Sequence, residues 1–261
     1  MLRQLWLHLH VVIIFLFASF YAQAQSAEGN PSGRVIVEQP EDFTASYRDR
    51  RGSHAFLFGL HSENYYPFNY QSQFGNRFVE DMVGLESIKL IGAELGYKWN
   101  ISIGSVAGLF DYSMGSANGT ATNPDGRLEV SRIALSVNAA LDGILSEPYI
   151  VPYGQVGVHQ YNVTEEQAVN GQIESRSGSS GMAFHYRYGL LFQIDWLEAL
   201  MDPTAKIDRL RSSGLENTFI DFYYSEYLPS SSAQDAEALG SEGSVNTASS
   251  SEIGLGLKLE F

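Results

Sequence analysis

Between Met182 and Trp196 the chain alternates almost without a break. Met182, Phe184, Tyr186, Tyr188, Leu190, Phe192, Ile194 and Trp196 share one parity; Ala183, His185, Arg187, Gly189, Gln193 and Asp195 share the other, with Leu191 the exception. Successive side chains of a strand point to opposite faces, so this run makes a sheet with one wholly apolar face. The same period marks eight segments, at about 53–63, 87–99, 101–113, 128–139, 149–162, 182–195, 217–227 and 250–261. Each has about the 9–11 residues that a tilted membrane strand needs. Ile91, Ala93, Leu95, Tyr97 and Trp99 oppose Gly92, Glu94, Gly96 and Lys98, and Ile133, Leu135, Val137 and Ala139 oppose Arg132, Ala134, Ser136 and Asn138. The third segment is irregular: Ile101 and Ile103 fall on one face and Val106, Phe110 and Tyr112 on the other, which a bulge near Gly104 would reconcile.

A soluble sandwich also alternates, with its apolar faces inward. Its outer faces then carry long polar side chains. Here the polar face is rich in Gly, Ala and Ser with isolated charges of both signs, which suits the crowded lumen of a narrow barrel. Glu94, Arg132, Arg187, Asp195, Asp221, Glu252 and Lys258 are the expected lumen charges. Buried charges must be paired, and this set can pair and plug the barrel. Composition agrees. Charged residues are 18% of the 261, against about 25% in ordinary soluble domains. The formal charge of −14 argues against a nucleic-acid partner. The absence of cysteine excludes disulfides, thiolate metal sites and a Cys nucleophile.

Residues 1–24 read as a secretory signal peptide: Arg3 gives the positive start, Val11 to Phe20 the apolar run, and Ala22-Gln23-Ala24 the cleavage site. Residues 25–51 read as a periplasmic N-terminal extension with a short strand at Val35–Val37 and a helix-like stretch from Pro40 to about Tyr47. Arg48, Arg50 and Arg51 form a basic cluster, read as a solvated patch before the first strand, with contact to anionic headgroups as the alternative. Residues 52–261 are the expected barrel. Its connections alternate between long, polar ones (64–86, 114–127, 163–181, 228–249) and links at about 100, 140–148 and 196–216, the last partly helical. Aromatic side chains gather near strand ends. Trp99, Tyr149, Tyr153, Trp196 and Phe261 are placed at one membrane interface, and Tyr112, Tyr161, Phe184, Tyr224 and Tyr227 at the other.

The last ten residues carry a specific signature. Ile253, Leu255, Leu257, Leu259 and Phe261 put apolar residues at alternate positions before a terminal aromatic, which resembles the C-terminal insertion signal of Gram-negative outer-membrane barrels. Pro152-Tyr153-Gly154-Gln155-Val156-Gly157-Val158 is similar to the glycine-rich strands of small barrels of the OmpA-membrane-domain, OmpX and OmpW kind. The resemblance implies an all-β, eight-stranded antiparallel transmembrane up-and-down barrel with a short helical periplasmic connection. It also implies a bacterial outer-membrane location, lipid and lipopolysaccharide neighbours, and the barrel-assembly machinery as a partner during insertion. Ten strands remain open if Val35–Val37 and part of a loop join the sheet. A closed barrel has no free edge, so a monomer is expected.

No nucleophile elbow, P-loop or metal-binding motif occurs, and no catalytic residue, metal site or cofactor is assigned. His54, His61, His159 and His185 remain after the signal, with His159 and His185 on polar faces as hydrogen-bonded fillers. The expected outer loops are acidic, with Glu63, Glu80, Asp81, Glu86, Asp125, Glu165, Glu166, Glu174, Glu226, Asp235, Glu237 and Glu242. These form a hydrated surface open to an extracellular ligand, or bridge divalent cations to lipopolysaccharide phosphates. The leading reading is a structural or surface-interaction barrel. A narrow channel for small or hydrophobic solutes and a lipid-modifying barrel enzyme are the alternatives.

Overall fold

The computed structural model describes residues 45–66, 72, 74, 87–119, 125–196, 202, 205–229 and 249–261. The signal peptide, Val35–Val37, Leu197, Leu200, Met201, Glu80, Asp81, Glu86, Asp235, Glu237 and Glu242 lie outside the described residues, as does the side chain of Glu252.

A short helix α1 (Tyr47–Arg50) precedes β1 (His54–Tyr65), β2 (Ile88–Ile101), β3 (Gly104–Asn118), β4 (Arg127–Ala140), β5 (Ile150–Val169), β6 (Gln172–Ser179) and β7 (Ala183–Gln193). Helix α2 (Ala205–Ser213) then leads to β8 (Asn217–Tyr227) and β9 (Ser249–Glu260). Each strand pairs antiparallel with its neighbour, and β9 returns to β1 from Leu57↔Glu260 to Glu63↔Gly254. Backbone bonds between Phe56 and Phe261, at 2.8 and 2.9 Å, extend that seam to the last residue. The result is a closed eight-stranded barrel, with β6 outside the ring as the second arm of a hairpin on the upper half of β5. Helix α1, the β2–β3 and β4–β5 turns, the α2 link and Phe261 gather at one end, here the terminal end. The β5–β6 turn and the opposite ends of the ring strands lie at the far end.

Two sequence expectations change. The third segment contains no bulge near Gly104. Ser102 and Ile103 form a two-residue turn between Ile101 and Gly104, so the chain reverses there and the parity restarts. Among the described residues, the irregularity in pairing lies between Ser225 and Tyr227, in the β8–β9 ladder. The expected loop 163–181 is mostly sheet. Asn162–Val169 pairs with Gln172–Ser179 across an Asn170-Gly171 turn, where both residues take positive φ (54° and 79°). Asn and Gly tolerate that conformation, which is why this dipeptide closes hairpins.

One face of every barrel strand is turned outward and is apolar. Leu95, Leu135, Val137, Val156, Phe184, Leu190, Phe222, Leu255 and Leu257 are all exposed. The insertion-signal residues Ile253, Leu255, Leu257 and Phe261 share that face. The inner face is packed. At the far end Tyr65, Ile88, Leu90, Leu128, Val130, Tyr161, Val163 and Tyr227 form a buried apolar cluster. Toward the terminal end Ala140, Val151, Tyr153, Leu191, Phe219 and Tyr223 form another. Leu191, the parity exception, is thus a lumen residue.

The small inward residues are seats for large side chains on the next strand. A methyl group at Gly254 would lie 2.0 Å from the Tyr223 ring, and one at Gly92 2.5 Å from Nε2 of His61. Outward-facing Gly154 has nothing within 4 Å. Gly254→Ala is therefore expected to lose about 1–3 kcal/mol through overpacking, while Gly154→Ala stays within about 0.5 kcal/mol of wild type. Urea unfolding in detergent micelles measures both.

Candidate functional site

Inward parity places acidic and basic side chains at matching heights on strands far apart in sequence, and closure of the barrel brings them together. Two linked groups fill the middle of the lumen. In the first, Arg132 (β4) bonds Glu63 (β1) and, at 2.9 Å, Asp111 (β3). The Tyr227 hydroxyl donates to Glu63 at 2.9 Å, and Nε2 of His61 lies 3.2 Å from Asp111. In the second, Lys258 (β9) lies 2.9 Å from Glu94 (β2) and 3.9 Å from Asp221 (β8), which also accepts from the Tyr153 hydroxyl at 2.8 Å. Arg187 (β7) joins them, at 3.7 Å from both Glu63 and Glu94. Every carboxylate in this set has a cation or an imidazole within 4 Å. That is the condition under which buried charge is tolerated.

Glu94, Arg132, Arg187, Asp221 and Lys258 thus come together in the lumen. Asp195 does not join them. It accepts from Arg209 of α2 at 2.9 Å and from the backbone of Thr218 at 3.0 Å, and so anchors the link at the terminal end. Sequence reasoning missed Glu63, Asp111 and His61. The sequence places Glu63 in an outer loop, but it is 2% exposed because β1 continues two residues further with the same inward parity. Glu165, also expected in a loop, is buried in the β5–β6 hairpin and accepts from Ser72. Tyr153, Tyr161 and Tyr227 are likewise not girdle residues. All three are buried inside the barrel, on the parity shared with Gln155, His159 and Ser225. Trp99, Tyr149, Trp196, Tyr112 and Phe184 are exposed, and Tyr224 faces outward stacked on Tyr188 at 4.9 Å.

His159 and His185 lie inside the barrel with ring centroids 5.5 Å apart. Ser136 Oγ is 3.1 Å from Nε2 of His185, and both residues are enclosed by the wall. Among the described residues no group of three or more His, Asp or Glu is placed to hold a metal ion.

A third group closes the terminal end. Lys98 (β2) bonds Asp142 in the β4–β5 turn at 2.7 Å and also Glu260 at the end of β9. Its remaining partner is the Tyr47 hydroxyl, which accepts at 2.9 Å and donates to Glu260 at 2.8 Å. Arg51 bonds Asp142 at 2.9 Å and the carbonyl of Ile101. Arg50 lies 3.0 Å from Glu216. The basic cluster is therefore not a solvated patch. Only Arg48 is largely exposed, while the side chains of Arg50 and Arg51 are 8% and 6% exposed.

Burial raises the Asp142 carboxyl, but Lys98, Ser105 and Arg51 outweigh it and hold the group below the ordinary carboxylate range. Burial, reinforced by Glu260 and Asp142, pushes the Tyr47 phenol far above its usual value, so it stays a donor. A depressed carboxyl contributes stability that is present above its unfolded pKa and lost as pH falls through the folded one. Asp142→Asn is expected to cost about 1–3 kcal/mol at neutral pH, and that difference from wild type shrinks once pH drops below about 4. A difference unchanged between neutral and acid unfolding series would contradict the assignment. In the middle of the lumen, Arg132→Met removes the cation shared by Glu63 and Asp111 and is expected to cost about 3–5 kcal/mol by the same unfolding assay.

No protein-family model matches the chain, and no curated protein does. Among solved structures, the chain is similar over 81% of its length to Ail, the attachment invasion locus protein of Yersinia pestis, with 14% identity, a TM-score of 0.41 and all of that chain covered. The outer membrane protein OprG from Pseudomonas aeruginosa matches over 81% of this chain and 97% of its own, at 10% identity and a TM-score of 0.46. Neisserial surface protein A matches over 80% and 96%, at 11% identity and a TM-score of 0.37.

Proposed function

We propose that this chain is an integral outer-membrane barrel with a filled lumen, serving as a membrane-anchored platform for the segments at its far end. One observation carries the reading: the polarity of the molecule is inverted. Its outward face is a belt of exposed Ile, Leu, Val and Phe from all eight ring strands, while the charges of Glu63, Glu94, Asp111, Arg132, Arg187, Asp221 and Lys258 are paired inside. An apolar patch larger than a few hundred Å² is rare on a soluble monomer and marks contact with a membrane or a partner. A closed barrel meets the bilayer's demand that every backbone polar group be satisfied within the wall.

In this reading the terminal end, with both turns and the α2 link, faces the periplasm. The β5–β6 hairpin then stands outside the cell. Exposed Trp99, Tyr149 and Trp196 mark one headgroup level, and Tyr112, Phe184 and Tyr224 the other. The outward alternation ending at Phe261 serves the assembly machinery during insertion. A structural or interaction role is favoured over a channel because two layers of paired charge and two apolar clusters occupy the lumen. It is favoured over lipid chemistry because the Ser136–His185 pair faces inward, away from any acyl chain.

The test is heat-modifiable mobility of the protein from isolated outer membranes, combined with conductance in planar bilayers. The expected outcome is a mobility shift on boiling and no steady single-channel current. A soluble periplasmic protein without a shift overturns the membrane reading. A shift with steady current replaces the platform by a channel.

A further inference from the structure

The charges at the terminal mouth do not balance within the barrel wall. Asp142 and Glu260 are two buried carboxylates, and the wall offers them one cation, Lys98. The second cation, Arg51, comes from the segment before β1. That segment also supplies the Tyr47 hydroxyl, which accepts from Lys98 and donates to Glu260, whose other oxygen accepts from Asn217 at 3.2 Å. The seat is shaped for it: a methyl group on Gly143 would lie 2.5 Å from Nη2 of Arg51. Tyr47 is fully buried, with Lys98 and Arg51 each 5.6 Å from its ring centroid.

The way this segment is held differs from the rest of the lumen. Tyr47 is its one buried ring; its other attachments include ion pairs and hydrogen bonds to Asp142, Glu147 and Glu216 and to the carbonyls of Ile101 and Ser146. Ion pairs gain little net stability, because desolvation offsets the attraction.

We propose that residues 45–51 are an exchangeable stopper. The mouth is a site for a phenol and a guanidinium, occupied in cis by Tyr47 and Arg51, and it becomes a net-negative vestibule open to small cations when the stopper leaves. Beneath the stopper, Leu57, Asn138, Val151 and Phe219 line a small cavity that would form its floor, with Lys98, Asp142 and Glu260 and with Lys258, whose charge is matched by Glu94 at 2.9 Å. The inference extends the filled-lumen reading by making one of its layers removable. It depends on barrel closure and not on the membrane location.

The natural chain has no cysteine, so a single reporter thiol can be placed in the full-length protein by Asn138→Cys. Its modification by charged methanethiosulfonates is followed by mass spectrometry, with heat-modifiable mobility confirming that each variant is a closed barrel. Without that shift, the barrel itself is in question rather than the stopper. In the folded protein, adding Tyr47→Ala with Arg51→Ala is expected to speed labelling by about tenfold or more, as loss of charge-assisted hydrogen bonds implies. Rates are normalised to each reagent's reaction with a free thiol, and the cationic reagent is then expected to outrun the anionic one. Unchanged rates, or an anionic preference, overturn the proposal.

A second arm leaves Tyr47 and Arg51 intact. Arg48 N bonds the Ser146 carbonyl at 3.1 Å, so Arg48→Cys with Ser146→Cys offers an oxidisable tether between stopper and turn. The oxidised chain is expected to label at the Asn138→Cys position about tenfold more slowly than the same chain reduced. Equal rates in the two states, zero included, overturn exchangeability.

Discussion

Closure of β1 on β9 is the constraint from which the interior follows. Once Leu57 pairs with Glu260 and Phe56 with Phe261, no strand edge remains in the ring, and the inner parity of all eight strands faces a narrow shared space. Water cannot fill that space as it would a wide pore. Each inward polar group must therefore find its partner on another strand. The glycine seats at Gly92, Gly189 and Gly254 make this possible by letting His61, Tyr153 and Tyr223 lie over a neighbouring strand.

The arrangement of charge follows from the same geometry. Glu63 would be intolerable alone, at 2% exposure. It is held by Arg132, Arg187 and Tyr227, from three different strands. Arg187 bridges the two central groups, so neither group is complete by itself. Removing one member of such a set leaves its partners desolvated and unpaired, which is why the interior depends more on completeness than on the strength of any one pair.

How much of this is legible along the chain depends on distance in sequence. Alternation is a local property, so strand identity and the inward facing of Glu94, Arg132, Arg187, Asp221 and Lys258 can be read directly. Pairing is not local: Arg132 and Glu63 are 69 residues apart, and Lys98 and Glu260 are 162 apart. Tyr153 and Tyr161 share the parity of Gln155 and His159, and that should outrank their position near strand ends. Lys98 and Glu260 likewise lie on the polar face of readable strands. Tyr47 and Arg51 had no such signal, because they stand outside every alternating segment and gain their role only from the mouth they fill.

The two ends of the barrel are closed by different physics. Among the described residues, the far end is packed with Tyr65, Leu90, Leu128, Tyr161 and Tyr227, whose apolar surfaces exclude water without regard to salt or pH. The terminal end is closed by Lys98, Asp142, Glu260 and a segment that contributes one ring and its charges. A hydrophobic plug fixed within strands can open only if the strands part. An ionic one borne on a short lead can leave while the barrel stays whole. Any exchange between the lumen and its surroundings is therefore directed to the terminal end, and the residues that set its terms are Tyr47, Arg51 and the carboxylate of Asp142.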